Sequence, residues 1–251
     1  MASGSNTDNA IEINAEIAEK VNYAVAQWMS GTGRGNILSR LQIGNGSETP
    51  LKNCKLKVWS QPPFITTRSW NIDQIEAGQS FDVSDLKVQL DGGFLWGVPE
   101  AINGTVRFEL SGEGFEPVEQ SHPVRILAHT EWAGIALPPE LLAAHVLPND
   151  PQVAKILKVA SVELRKAGRD ASLEGYQQGS ARRVAELMEA IWNAVQTLDI
   201  TYSEPPASFE QTGQKVRTPS QIAQDGLATC LDTATLFAAC LEQTGIHPLL
   251  V

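Results

Sequence analysis

The apolar residues of this chain change their spacing part-way along it, and that change constrains the fold more than any other feature. In the first half they recur at every second position. Ile11, Ile13, Ala15 and Ile17 alternate with polar neighbours, as do Val21, Tyr23 and Val25. Ile37, Leu41 and Ile43 follow as far as the turn pair Asn45-Gly46. Cys54, Leu56 and Val58 alternate with lysines, and Val106, Phe108 and Leu110 with Thr105, Arg107 and Glu109. Such alternation puts one face in a core and the other in water, the pattern of antiparallel strands. Turn residues separate the runs: Gly44 to Pro50, Pro62-Pro63, Asp91-Gly92-Gly93, Asn103-Gly104 and Gly112 to Gly114. Short strands with regular turns predict an immunoglobulin-like β-sandwich over residues 10–131, behind a disordered stretch 1–9.

In the second half the period becomes 3.6. Asp150 is placed to cap a helix with Pro151 at its first position. Val153, Ile156, Leu157, Ala160 and Leu164 form one apolar stripe, which Gly168 ends. A second stripe runs Val184, Leu187, Ile191, Val195 and Leu198. Ile200 to Tyr202 reads as extended, and Ser203 to Arg217 as a polar loop. The expected class is α+β in two parts, with residues 132–148 as a linker and a helical region over 149–251.

Composition narrows the function classes. With 42% hydrophobic and 19% charged residues the chain can bury a core, and a net charge of −10 makes it a poor phosphate binder. Direct nucleic-acid binding is therefore not expected. No apolar run approaches the ~20 residues of a membrane span, and the N-terminus lacks a basic start and an apolar core, so it does not read as a secretory signal. Cys54, Cys230 and Cys240 make no disulfide framework and read as free thiols in a reducing cytoplasm.

The segment 218–251 carries the chemistry. Thr229 and Asp232 have capping-box spacing, which makes Cys230 the first helical residue. From Leu231 to Leu241 the helix is apolar nearly all round and reads as buried; Gly245 stops it, and Pro248 to Val251 reads as a core strand. A thiol at a helix N-terminus faces unpaired N–H groups and the positive end of the macrodipole, which favour thiolate. The same N–H groups are suited to an oxyanion in acyl transfer. Cys230 is therefore a candidate nucleophile, against the plainer reading of a small buried residue ahead of a core helix. A nucleophilic cysteine needs a base, and the histidines do not obviously supply one. His122 and His129 sit in or after the last sandwich strand, His145 falls on a helix face, and His247 lies a helix length, ~20 Å, from Cys230. All four read as structural or surface groups.

Other features carry less. Gly31-Thr-Gly33-Arg-Gly35 lacks the Lys-Ser/Thr of a phosphate-binding loop and reads as a flexible connection. Cys54 and Cys240 fall on buried faces, no Cys–His spacing fits zinc, and Trp59, Trp70, Trp96 and Trp132 suit core packing or a partner surface.

The stretch from Pro205 to Val251, with its Gly-Gln-Lys-Val-Arg and Thr-Cys-Leu-Asp strings, resembles the transglutaminase-like segment near the start of certain very large bacterial proteins. These are superfamily 1 DNA helicase-like proteins with an N-terminal domain of unknown function, many with a nuclease-like domain at the rear. Upstream strings fit the same family: EKVNYAVAQ from Glu19, NGSETPLKN from Asn45, EWAGIALPPELLAAHVLPNDPQV from Glu131 and LEGYQQGS from Leu173. Met29 to Asn36 departs from it in being richer in glycine. The resemblance implies phage defence, Cys230 as nucleophile, and Gln214, beside Lys215 and Arg217, as an oxyanion or substrate contact. It places the histidine base on a strand beyond Val251, so the site is expected to be incomplete and inactive in isolation, with the helix from Leu231 lacking a covering sheet. No cofactor is expected in this chain; ATP and Mg belong to a downstream helicase part, which with the nuclease domain and a protein substrate makes up the expected partners. The alternative is a non-enzymatic protein-binding or sensor module that keeps the cysteine fold as scaffold.

Overall fold

The computed structural model describes residues 10–32, 36–175 and 179–250. The stretch 1–9, the last three residues of the Gly31–Gly35 connection, part of LEGYQQGS and Val251 lie outside the described residues. The chain is α+β and divides into two compact units, meeting at His129 and Thr130.

The first unit holds β1 (Ile11–Ile17), β2 (Lys20–Val21), α1 (Tyr23–Thr32), β3 (Leu38–Asn45), β4 (Leu51–Gln61), β5 (Arg68–Ile75), β6 (Ser80–Asp82), α2 (Gly92–Trp96), β7 (Ile102–Glu113) and β8 (Val118–Ile126). They form a three-stranded sheet, β1-β3-β6, and a five-stranded sheet, β2-β8-β7-β4-β5. Every pairing is antiparallel except that of β2 with β8. The alternation read from the sequence sets the faces. Leu38, Leu41 and Ile43 of the small sheet are buried, as are Leu56, Val58, Val106, Phe108 and Leu110 of the large one. Ile17, Leu38, Val58 and Phe108 line one small common void, so both sheets feed a single core. Asn45 carries the chain from one sheet to the other: its buried amide donates to the carbonyls of Thr49 and Ile75 at 3.0 Å.

Three local expectations fail here. Val21, Tyr23 and Val25 are not one strand, because the Asn22 side chain accepts the Val25 N–H at 3.0 Å and caps α1. A short alternation fits either period, and the cap decides. Asp91-Gly92-Gly93 starts α2, with the Asp91 carboxylate accepting the Phe94 N–H. Asn103-Gly104 is not a turn but lies in β7, opposite Arg125 and Val124. A Cβ at Gly104 would stand 2.7 Å from Ile126 Cδ1, so the glycine serves close packing within a strand.

The second unit holds β9 (Glu131–Trp132), 3-10 turns at Gly134–Ala136 and Pro139–His145, α3 (Pro151–Lys166), α4 (Ala181–Gln196), β10 (Thr201–Tyr202), α5 (Phe209–Thr212), β11 (Gln214–Lys215), α6 (Pro219–Asp225), β12 (Leu227–Ala228) and α7 (Cys230–Gln243). Helices α3 and α7 start and stop where the sequence says, whereas α5 and α6 were not read from it. Asp150 accepts the Gln152 N–H at 2.8 Å, and the left-handed Gly168 lets Arg169 N–H reach back to the Leu164 carbonyl. The stripes of α3 and α4 meet in one core with Ile222, Leu236, Ala239 and Cys240.

Residues 132–148, expected as a linker, are structured: Trp132, Leu141 and His145 are buried. His145 stands on a 3-10 turn rather than on an α-helix face. The loop 203–217 contains α5 and β11. Helix α7 does not lack cover, because α3, α4 and α6 pack on it in place of a sheet. Pro248 to Leu250 form no strand, and Leu249 is 88% exposed. An extended segment becomes a strand only when a neighbouring backbone takes its N–H and C=O groups, and among the described residues none does.

Candidate functional site

Helix α7 opens with a capping box. Thr229 Oγ1 accepts the Asp232 N–H at 3.2 Å, and the Asp232 carboxylate accepts the Thr229 N–H at 2.9 Å. Cys230 follows as the first helical residue, and its thiol is exposed. That exposure removes the plainer reading of Cys230 as a small core residue. Cys54 and Cys240 are buried, and burial pushes the Cys240 thiol up to about 12 and raises the Cys54 thiol as well. An apolar surrounding disfavours the thiolate, and of the three cysteines Cys230 alone has an exposed thiol.

Asp232 does more than close the cap. It is 0% exposed, and its carboxylate also accepts the Arg217 N–H and the Arg217 guanidinium, each at 2.8 Å. Arg217 ends the segment that starts at Ser203, whose N–H donates to the Ala228 carbonyl at 2.8 Å. The segment 203–217 is thus a strap tied to the residue two before Cys230 and to the residue two after it. The sequence showed a polar loop there but not its anchors.

Between its ties the strap lies backbone to backbone on residues 130–134. Gln214 pairs with Trp132 and Lys215 with Glu131, and Val216 N–H donates to the Thr130 carbonyl. Two glycines allow that approach. A Cβ at Gly213 (φ 85°) would stand 2.0 Å from the Trp132 carbonyl oxygen, and one at Gly134 (φ 74°) 2.6 Å from that of Glu210. Gln214 is 4% exposed, yet neither its amide nitrogen nor its amide oxygen has a hydrogen-bond partner among the described residues. The indole N–H of Trp132, directly across the ladder and so on the same face, is also buried without one. Each such group costs about 1–3 kcal/mol, and a fold that keeps them invites a reason.

The predicted residues fall as follows. Cys230 and Gln214 share the second unit, linked through Arg217 and Asp232. His122 and His129 belong to the first unit, where burial lowers the His122 pKa and the His129 ring meets the Val98 carbonyl at 3.1 Å. His145 is buried on its 3-10 turn, and His247 follows the far end of α7. Asp232 was read from sequence only as a cap. Its grip on Arg217 was missed because the partners are fifteen residues apart with no periodic relation.

Among the described residues no group of three or more His, Cys, Asp or Glu is placed to hold a metal ion. No helix among them is long and apolar enough to cross a membrane. Of the tryptophans, Trp132 is buried, Trp59 lies under the Lys57 ammonium, and Trp96 is exposed between Tyr23 and His129.

No family model matches the chain, and no curated protein matches it.

Proposed function

We propose that this chain is the N-terminal module of a bacterial helicase-like protein acting in phage defence, built from an immunoglobulin-like sandwich and part of a transglutaminase-like cysteine-hydrolase domain. The sandwich reading rests on strand order. The sheets β1-β3-β6 and β2-β8-β7-β4-β5 correspond to the A-B-E and A′-G-F-C-C′ arrangement of such domains, with the parallel pair at the A′–G edge. The cysteine-hydrolase reading rests on one observation: an exposed thiol at the first position of a buried helix, flanked on both sides by the ties of a strap that holds an unpartnered glutamine. In this reading Cys230 sulfur attacks an amide carbonyl, the leaving amine departs, and a thioester remains for water or an amine to resolve. Gln214 donates to the carbonyl oxygen as charge develops on it. The histidine base comes from a later part of the polypeptide, so the chain by itself performs no turnover. ATP and Mg serve the helicase part alone.

The gene beyond the Val251 codon tests this reading. An open frame that encodes a histidine strand and then a phosphate-binding loop supports it; a stop codon there overturns it. Turnover of amide or ester substrates by this chain alone, lost in Cys230→Ala, refutes the incomplete site.

A second reading is favoured by α4, where Met188 is 40% and Trp192 57% exposed on one face, with Trp192 edge-on to Phe237. Such a face suits a non-enzymatic protein-binding or sensor module. Retained partner binding in Cys230→Ala, lost in Trp192→Ala, would favour it.

A further inference from the structure

The two ends of the strap are tied on either side of the exposed Cys230, and by bonds of different kinds. One end is held by backbone bonds, from Thr201 N–H to the Gly226 carbonyl and from Ser203 N–H to the Ala228 carbonyl. The other is held by a fully buried carboxylate that takes both the backbone N–H and the guanidinium of Arg217. Charge-assisted bonds of this kind are the stronger ones, and two from one residue fix its orientation as well as its place. Arg217 is three residues from Gln214, a distance of at most about 11 Å along the chain. The same carboxylate takes the Thr229 N–H, next to Cys230. Asp232 therefore joins the backbone that bears the thiol to the backbone that bears the amide. If Asp232 were only a helix cap, the Thr229 bond would suffice.

Building on the acyl-transfer reading of Cys230, we propose that Asp232 is a positioning residue: acting through Arg217, it sets the Gln214 amide to receive the oxyanion formed at the Cys230 turn. The sulfur forms its bond to the carbonyl carbon and the C=O electron pair moves to oxygen, where the Gln214 N–H meets it. The pair then returns to carbon and the leaving group departs with the electrons of its broken bond. Asp232 touches no substrate in this scheme. Its effect is confined to steps that pass through an oxyanion.

That confinement gives the test. p-Nitrophenyl acetate acetylates a thiolate through an oxyanion and releases p-nitrophenolate without needing a protein base. Iodoacetamide alkylates the same sulfur by displacing iodide, with no oxyanion. Rates of single modification at Cys230, read by peptide mass spectrometry for both reagents on the full chain, separate positioning from general thiol access. Asp232→Asn keeps the side-chain shape. Arg217→Met leaves the Asp232 cap intact and covers the case in which Asp232→Asn fails to fold.

The expected result is a fall of about tenfold in acetylation in both variants, with alkylation within about twofold of the parent. Arg217→Lys should recover part of the loss, and adding Gln214→Leu to either variant should cost nothing further, because the residues act as one unit. Equal losses with both reagents reduce Asp232 to a structural role and overturn the proposal. An unchanged ratio in Asp232→Asn and Arg217→Met also overturns it. In that case Gln214→Leu separates the layers. A lowered ratio keeps the Cys230–Gln214 reading while the positioning role falls, and an unchanged one removes Gln214 from the reading as well.

Discussion

Raising the pH from about 8 to 10 should destabilise the second unit through one buried thiol. Cys240 is fully buried among Leu236, Ala239, Leu187 and Ile191, and its thiol is pushed from its ordinary value of 9.0 up to about 12. The folded state therefore holds the proton over a range in which the unfolded chain has lost it. The stability this group contributes is fully present below pH 9.0 and is lost as pH rises toward 12. In that window the loss approaches about 1.4 kcal/mol per pH unit. With the unfolded thiol at 9.0, about three quarters of the change between pH 8 and 10 falls above pH 9, and the whole amounts to about 1.4 kcal/mol. Urea unfolding of the parent and of Cys240→Ala, followed by helical circular dichroism, isolates this term. The long helices α3, α4 and α7 all belong to the second unit, so that signal reports on it. Cys240→Ala removes a buried sulfur and lowers stability at every pH, so the quantity to compare is the change between the two pH values. Tyrosine and lysine titrations are common to both proteins and cancel. The parent should lose about 1.4 kcal/mol more than the variant. Equal losses would refute the reasoning, because they would mean that the Cys240 site admits water or opens locally before it ionises.

Alkylation of the native protein should modify Cys230 first, with Cys54 and Cys240 labelled only once denaturant is added, as read by peptide mass spectrometry. Thr229→Ala should cost about 1 kcal/mol of helix stability by removing the acceptor for the Asp232 N–H, measured by urea unfolding. Gly104→Ala should destabilise the first unit by about 1–3 kcal/mol, since the new methyl meets Ile126 and Phe64; a melting temperature equal to the parent's would show that the contact yields freely.

Much of the secondary structure was legible because it depends on neighbours in sequence. The caps at Asp150 and Thr229, the stops at Gly168 and Gly245 and the stripes of α3 and α4 involve residues a few positions apart. The readings that failed were those in which a local signal had two meanings. Gly104 looked like a turn because glycine in a turn and glycine under a neighbouring side chain look alike in sequence. The run after Lys20 looked like a strand because its alternation was too short to exclude a helix. Of the candidate site, Cys230 and its cap could be read directly, whereas Gln214 came only through a resemblance.

The sequence alone determined the two periods, and with them a strand-rich first half, a helical second half, and a cysteine at the first turn of an apolar helix. These follow from backbone geometry, which repeats every two or 3.6 residues whatever surrounds it. Only the tertiary structure decided that Cys230 faces outward, that helices rather than a sheet cover α7, and that Asp232 ties Arg217 to the cysteine turn. Those outcomes depend on which distant surfaces meet and on which buried polar groups find partners, and no local period encodes either.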